Sequence, residues 1–210
     1  MKPDPDLNAA YALKTPEDSV RLYRDWAKTY DQDFAADMDY VYPTVVAQVF
    51  ADFSTGKAAP VLDVGAGTGL VGAALGRLGT WAIDGLDISA EMLEVAAAKG
   101  SYRALYQGDL TGKLDLPGDT YGGVISAGTF THGHVGPDAL DELLRLATRG
   151  ALFTLGINAQ VYAAQGFAAK FDTLHSQITG FELVERGIYG DKANADHAAD
   201  KALIAVFRKA

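Results

Sequence analysis

The most informative segment of the chain is Val61-Leu-Asp-Val-Gly-Ala-Gly-Thr-Gly-Leu70. Its first four residues are apolar apart from one aspartate, which is typical of a buried strand, and the alternating glycines that follow predict a tight turn. Glycine lacks a Cβ, so this turn can adopt positive φ and its backbone can approach a ligand closely. Residues 70–77 favour a helix whose N-terminal amides point back at the turn. We therefore expect a strand, a glycine turn and a helix that together cradle a ligand.

Dinucleotides are one class of ligand for such a turn, and the spacing of the glycines bears on them. If Gly65 is taken as the first glycine, the pattern Gly-x-Gly-x-x-Gly does not match, because residue 70 is leucine. From Gly67 it fits, with Gly69 and Gly72, but the turn then begins late after the strand. An NAD(P)-dependent oxidoreductase would also need an acid–base group such as a Tyr-x-x-x-Lys pair, and none is evident. This enzyme class is kept as an alternative.

A second strand, predicted over residues 81–87, ends in Asp87 about 20 residues after the glycine turn. A carboxylate at this place can accept hydrogen bonds from both hydroxyls of a ribose. Ser89 is better placed than Asp87 to cap the helix predicted over residues 90–99. A ligand-binding role for Asp87 is therefore favoured over a capping role.

Two further strands follow the same logic. The strand predicted over residues 102–110 ends in Gly108, Asp109 and Leu110, and residues 121–128 form an apolar run that is typical of a buried central strand. Strands alternate with helices along the chain, which predicts a parallel sheet with helices on both faces. Asp109 by itself is equally compatible with a solvated loop acid.

These ordered signals resemble the class I S-adenosylmethionine (SAM)-dependent methyltransferases, whose motif I has an acid followed by Gly-x-Gly-x-Gly, here Asp63 and residues 65–69. The segments 23–33 and 128–135 are more narrowly similar to the Williams-Beuren-region methyltransferase-like group. The resemblance implies an α/β fold, Rossmann-like and doubly wound. Its seven-stranded sheet would be mostly parallel, with an antiparallel last strand and an N-terminal helical lid.

The resemblance also implies SAM as cofactor, with S-adenosylhomocysteine as product, and methyl transfer to an acceptor. Asp87 would bind the ribose, Asp109 the adenine amino group, and the element around Tyr30 the methionine end. The full set of cofactor-binding residues expected on this basis is Tyr30, Asp63, Gly65, Ala66, Gly67, Thr68, Gly69, Asp87, Ile88, Met92, Gly108, Asp109, Leu110 and Ala127.

The segment after the fourth strand contains His132 and His134, where the acceptor is expected to enter. Imidazole suits proton removal near neutral pH, so either histidine is a candidate general base. The alternative is that both only shape a glycine-rich loop. Two histidines at i and i+2 without a nearby carboxylate make a poor metal site, and no metal is expected.

Composition limits the remaining possibilities. The chain has 210 residues, a formal net charge of −9 and no cysteine, which excludes disulfides and a cysteine nucleophile. Without a cluster of lysine and arginine, nucleic acid is not expected as a partner, and a small-molecule acceptor is. No apolar run is long enough for a membrane span, and the N-terminus lacks the apolar region of a secretory signal. We expect a cytoplasmic monomer or homodimer.

The domain organisation expected from these patterns is a single methyltransferase domain over residues 1–210, with a helical lid at 1–58 and a SAM-binding α/β core at 59–210. A non-catalytic SAM-binding module that regulates a partner is the second alternative. It would bind SAM without turnover and expose an apolar patch for that partner.

Overall fold

A seven-stranded sheet forms the centre of the molecule, with strand order β3-β2-β1-β4-β5-β7-β6. The computed structural model describes residues 15–54, 56, 58–193 and 199–210. The strands are β1 (Val61–Val64), β2 (Ile83–Asp87), β3 (Ala104–Gln107), β4 (Tyr121–Phe130), β5 (Ala147–Asn158), β6 (Ile178–Gly187) and β7 (Lys201–Lys209). Strands β1 to β5 pair in parallel, whereas β7 runs antiparallel to both β5 and β6. The predicted Rossmann-like fold is confirmed.

Helices cover both faces of this sheet. They are α1 (Pro16–Trp26), α2 (Tyr42–Phe53), α3 (Leu70–Leu78), α4 (Ala90–Ala98), α5 (Ala139–Leu146), α6 (Ala159–Ala164) and α7 (Phe167–Thr173), with a short π-helix at Tyr30–Ala36. Because both faces are covered, the central strands are mostly apolar, and every residue of β1 is buried, including Asp63. One core cluster packs α5, α6 and α7 on the sheet, and the other packs α1, α2 and α3 on the opposite face.

The periodicity of residues 16–53 predicts two helices, the second beginning at Tyr42, and the structure has α1 and α2 there with the π-helix between them. Thr15 caps α1 by accepting a hydrogen bond from the Asp18 amide at 3.2 Å, and Pro16 occupies the first turn, where a missing amide donor costs nothing. The chain then breaks after α1 and resumes as the π-helix at Tyr30. Residues 1–14 of the predicted lid lie outside the described residues. None of the described helices has both the length and the apolar character to cross a membrane.

Two predicted boundaries in the second half differ from the structure. The sequence of residues 158–174 predicts a helical segment, which the structure divides into α6 and α7, separated by Gly166 at φ +80°. A left-handed residue cannot continue an α-helix, so the chain turns there. Strand β5 begins at Ala147, directly after α5 and before the predicted start at Gly150. Residues 194–198 of the predicted loop 190–200 lie outside the described residues.

Candidate functional site

A cavity opens where the parallel strands β1, β2, β4 and β5 end, between these strand ends and the N-terminal helices. Ligands of doubly wound folds bind at this edge of the sheet. The predicted site residues that line the cavity are Tyr30, Gly65, Ala66, Gly67, Thr68, Asp87, Ile88, Met92, Gly108, Asp109, Leu110, Ala127 and His134. Asp63, Gly69 and His132 do not line it. The cavity thus brings together most of the residues selected from separate motifs.

The glycine turn after β1 needs glycine for two different reasons. Gly65 has φ +68°, and a Cβ there would overlap Thr129 Oγ1 and come within 3.0 Å of Thr129 Cβ. Gly67 has φ +53°, but its added Cβ would point into open space, with the nearest atom 4.0 Å away. Gly65 is therefore required by packing inside the protein. Gly67 instead leaves space for a ligand to approach the backbone of the turn.

Asp87 holds the glycine turn against the end of β2. Its Oδ2 accepts a hydrogen bond from the Gly67 amide at 2.8 Å, and its Oδ1 accepts one from the Ser89 amide at 2.9 Å. Burial raises the pKa of Asp87, and the hydrogen bonds from these amides oppose that shift. Since each carboxylate oxygen has a second lone pair, the side chain can still accept hydrogen bonds from a ribose. Ser89 caps α4 through the Met92 amide at 3.2 Å, as expected.

Asp63 lies beneath the turn rather than in the cavity. Its side chain is fully buried, and Oδ2 accepts a hydrogen bond from the Tyr102 hydroxyl at 2.7 Å. Its Oδ1 has no hydrogen-bond partner among the described residues. Burial raises the pKa of Asp63 to about 7, against the lowering effect of the Tyr102 hydrogen bond. In this position Asp63 supports the turn through Tyr102.

Tyr102 also explains why Gly67, Gly69 and Gly72 have the spacing of a dinucleotide fingerprint. Its hydroxyl accepts a hydrogen bond from the Gly72 amide at 3.2 Å. A Cβ on Gly72 would lie 2.5 Å from the ring carbon that bears this hydroxyl. Gly69 is the residue before α3, and its Cβ would come within 3.0 Å of the same ring. Gly69 and Gly72 therefore make room for Tyr102 and do not line the cavity.

Asp109 lines the cavity from the loop after β3, but its side chain is turned toward its own backbone. Oδ1 accepts hydrogen bonds from the Thr111 amide at 2.8 Å and the Thr111 hydroxyl at 2.7 Å. The residue is exposed. Its second carboxylate oxygen is the atom left to receive an adenine amino group.

Seven aromatic residues form one side of the cavity, which we call the aromatic wall: Tyr23, Trp26, Tyr30, Phe34, Tyr40, Tyr42 and Tyr189. Their rings touch in sequence, with centroids 5.0 Å apart for Trp26 and Tyr30 and 5.8 Å apart for Tyr40 and Tyr189. Burial raises the pKa of Tyr30 and of Tyr42. The sequence singled out only Tyr30 as a site residue. The helical spacing of Tyr23, Trp26 and Tyr30 predicted a shared face but not a cavity.

The two histidines after β4 are placed differently. His134 lines the cavity, whereas His132 does not. The Nδ1 atom of His134 lies 2.7 Å from the His132 carbonyl oxygen, and its Nε2 lies 3.1 Å from the Tyr23 hydroxyl. Burial lowers the pKa of His134. Of the two candidate bases, His134 is therefore the one that lines the cavity, and burial favours its neutral form.

A charged network that the motifs did not reveal connects the π-helix to the glycine turn. Lys99 Nζ lies 2.6 Å from Asp31 Oδ2 and donates to the Thr68 carbonyl at 2.5 Å. The Thr68 hydroxyl donates to Asp31 Oδ1 at 2.5 Å. Lys99 follows α4, so three separate segments meet here. Within the described ranges, no group of three or more histidine, aspartate or glutamate side chains is arranged to hold a metal ion.

Comparisons with known proteins agree with this geometry. Residues 61–150 match the family model described as "Methyltransferase domain". Methyltransferase-like protein 27 from Homo sapiens is 34% identical over 140 residues, which cover 65% of this chain and 57% of that relative. The aligned region thus spans less than two thirds of the relative's own length.

Solved structures with the same fold share little sequence with this chain. A TehB-like SAM-dependent methyltransferase from Corynebacterium glutamicum superposes with a TM-score of 0.61 at 21% identity, covering 90% of this chain and 98% of that one. A chain of the complex containing the Haloferax volcanii Trm112 methyltransferase activator also gives 0.61, at 16% identity, covering 89% and 97%. The family model and the human relative support the predicted resemblance to methyltransferases, and the two solved structures share the fold of this chain.

Proposed function

We propose that the chain is a class I SAM-dependent methyltransferase domain that transfers the methyl group of SAM to a small-molecule acceptor bound in the cavity. The observation that carries the proposal is the hydrogen bond from the Gly67 amide, in the glycine turn, to the Asp87 carboxylate at the end of β2. Glycine turn, carboxylate and cavity coincide at the edge of the sheet where this fold binds its ligands.

The cofactor site that we propose uses the residues inferred from the sequence. Gly67 and the neighbouring turn residues would contact the cofactor through their backbone, Asp87 would accept from the ribose, and Asp109 would accept from the adenine amino group. Asp63 and Gly69 would act indirectly, since they support the turn from outside the cavity. The Asp31–Lys99 pair would hold the π-helix over the same turn.

The chemistry follows from what SAM supplies when bound, a methyl group on a positively charged sulfur. Transfer is an in-line displacement, so the protein contributes mainly by holding the acceptor in a near-attack arrangement and excluding water. The aromatic wall is suited to both tasks because its rings are large, rigid and closely packed. His134 is the candidate for removing a proton from the acceptor, and His132 fixes its orientation through the backbone carbonyl.

A small acceptor is supported by charge and by shape. The net charge of −9 disfavours a polyanionic substrate, and the candidate residues line a concave, largely aromatic cavity of the kind that binds small molecules. We further propose that the chain works as a single cytoplasmic domain, as a monomer or homodimer, with residues 1–58 as its lid.

Calorimetric titration of the purified protein with SAM, S-adenosylhomocysteine, NAD and NADP tests the donor site first. We expect micromolar binding of the adenosyl ligands and no binding of the dinucleotides. Binding of NAD or NADP instead would overturn the proposal in favour of an oxidoreductase. Tight SAM binding without turnover of any acceptor in a screen would instead support the regulatory, non-catalytic module.

A further inference from the structure

The aromatic wall differs from the rest of the cavity in having no charged side chain. Among the described residues that line the cavity, the only carboxylates are Asp87 and Asp109, which follow β2 and β3 at the glycine turn. A cationic or anionic acceptor would therefore find no opposite charge at the wall. Planar rings, in contrast, would stack on Tyr23, Trp26 and their neighbours and bury large apolar area.

The environment of the wall also disfavours charge of either sign. Burial raises the pKa of Tyr30 and Tyr42, which disfavours their anions, and lowers the pKa of His134, which disfavours its cation. A charged acceptor would meet the same desolvation penalty, which for a cation the negative faces of the rings would offset only in part. The groups on the wall that can orient a ligand are neutral hydroxyls and an imidazole.

The hydrogen bonds of His134 determine which of its nitrogens can accept a proton. A carbonyl oxygen can only accept, so the contact of 2.7 Å with the His132 oxygen requires the proton on Nδ1. In the neutral ring Nε2 is then the bare nitrogen, and the Tyr23 hydroxyl at 3.1 Å donates to it. The basic atom thus faces the hydroxyl of Tyr23, a residue that lines the cavity.

We propose that the aromatic wall binds a neutral aromatic hydroxyl compound and that Tyr23 relays the acceptor's proton to His134. This inference rests on the proposed methyl transfer and specifies its acceptor. It also assigns to Tyr23, which the sequence motifs did not select, the role of a catalytic residue in contact with the acceptor.

The relay balances as a simple displacement. As the acceptor oxygen forms its bond to the methyl carbon, the carbon–sulfur bond of the donor breaks and the sulfonium becomes a neutral thioether. The acceptor's proton passes to the Tyr23 oxygen while the Tyr23 proton passes to His134 Nε2. The resulting imidazolium then loses one proton to solvent. The products are an aryl methyl ether, S-adenosylhomocysteine and a proton.

Binding without any cofactor tests the acceptor class separately from catalysis. Three ligands share one ring system and differ in charge: 2-naphthol, 2-naphthylmethylamine and 2-naphthoate. We expect 2-naphthol to bind at least about tenfold more tightly than either charged ligand by calorimetry and by quenching of Trp26 fluorescence, since burying an unpaired charge is costly. Tightest binding of the amine or the carboxylate would overturn the inference.

The relay is tested with Tyr23→Phe, which keeps the ring and removes the hydroxyl, and with His134→Gln. With 2-naphthol and SAM we expect each to lower kcat by about a hundredfold with KM changed less than about threefold, the lower end of general acid–base effects. Tyr162→Phe and His175→Gln are matched controls, since neither residue lines the cavity, and they should keep wild-type rates.

The pH profile distinguishes a relay from a structural role. Above the pKa of His134 the wild-type kcat should be independent of pH. In Tyr23→Phe only acceptor that ionises by itself can react, so kcat should rise about tenfold per pH unit. Nitrogen-15 NMR should show His134 Nε2 unprotonated in the wild type, a readout that needs no turnover. A protonated Nε2, or a wild-type rate and profile in Tyr23→Phe, would overturn the relay.

The outcomes separate this inference from the function on which it rests. Methylation of 2-naphthylmethylamine but not 2-naphthol would overturn the inference and leave methyl transfer intact. Failure to bind SAM would overturn the proposed function and the relay, while the three-ligand binding comparison would still report on the acceptor class. Bound SAM with no turnover of any of the three would overturn the relay.

Discussion

The two sides of the cavity are built in opposite ways. The glycine turn and Asp87 come from successive strand ends close in sequence, and they present backbone amides and a carboxylate. The aromatic wall comes from α1, the π-helix, α2 and the segment after β6, and it presents rings without charge. The difference teaches that the proposed cofactor side of the cavity is encoded locally, whereas the side proposed for the acceptor is assembled from distant segments.

If the turn depends on a buried carboxylate, the largest effect should come from Asp63→Asn. Because burial raises the pKa of Asp63 from 3.8 to about 7, the folded protein holds a proton that the unfolded chain releases above pH 3.8. Wild-type stability should therefore fall relative to the variant as pH rises through this window, by about 4 kcal/mol in total. Urea unfolding of both proteins at several pH values measures this.

Comparing the two proteins removes the contributions of other titrating groups. The asparagine can still accept the Tyr102 hydrogen bond, so the variant should fold. The free energy of unfolding of the variant minus that of the wild type should be larger at pH 8 than at pH 4. Stability curves that run parallel from pH 4 to 8 would show that Asp63 is not a buried carboxyl with a raised pKa.

The next effect should come from Gly65→Ala. A methyl group there would overlap the Thr129 side chain, and rotation of Thr129 cannot relieve the overlap because the Thr129 Cβ is also close. The positive φ of Gly65 adds backbone strain for any other residue. We expect the free energy of unfolding to fall by about 2 to 4 kcal/mol and SAM binding to be lost. Thermal unfolding and calorimetry measure the two quantities.

Gly76→Ala is the matched control, because an added Cβ within α3 meets nothing within 4 Å. It should stabilise the protein by about 0.5 to 1 kcal/mol without changing SAM affinity. If the two variants had the same stability and the same SAM affinity, the packing of Gly65 against Thr129 would be contradicted.

Asp87→Ala tests the joint between turn and strand. The substitution removes the acceptor of the Gly67 and Ser89 amides together with the expected ribose contact. SAM affinity should weaken by about 2 to 4 kcal/mol. Asp109→Ala should cost less, since that side chain is exposed and bonded mainly to Thr111. Calorimetry measures SAM affinity for both variants. A larger loss of affinity in Asp109→Ala than in Asp87→Ala would contradict this ranking.

The smallest effect is expected on the aromatic wall. The Tyr42 hydroxyl is buried with no hydrogen-bond partner among the described residues, so Tyr42→Phe removes an unsatisfied polar atom. Stability should change by less than about 1 kcal/mol, or rise slightly, and SAM affinity should stay the same. A loss of several kcal/mol in urea unfolding would reveal a partner for this hydroxyl and weaken the contrast between the two sides.

Local pattern accounts for the part of the site that the sequence predicted. The alternating glycines, the acid at the end of β2 and the Ser89 cap each depend on residues within a few positions, so their conformations follow from backbone sterics and hydrogen bonding. The helix break at Gly166 was missed because a single glycine inside a helical pattern carries little information until its φ is known.

The amino-acid sequence by itself thus determined the order of strands and helices, the methyltransferase resemblance and the position of the glycine turn. Only the tertiary structure decided that Asp63 lies under the turn, that His134 rather than His132 faces the cavity, and that Tyr189 joins Tyr40 on the wall. These outcomes depend on contacts between residues as far apart as 149 positions, such as Tyr40 and Tyr189. Periodicity and spacing describe the local chain, whereas burial and side-chain partners depend on how distant segments pack.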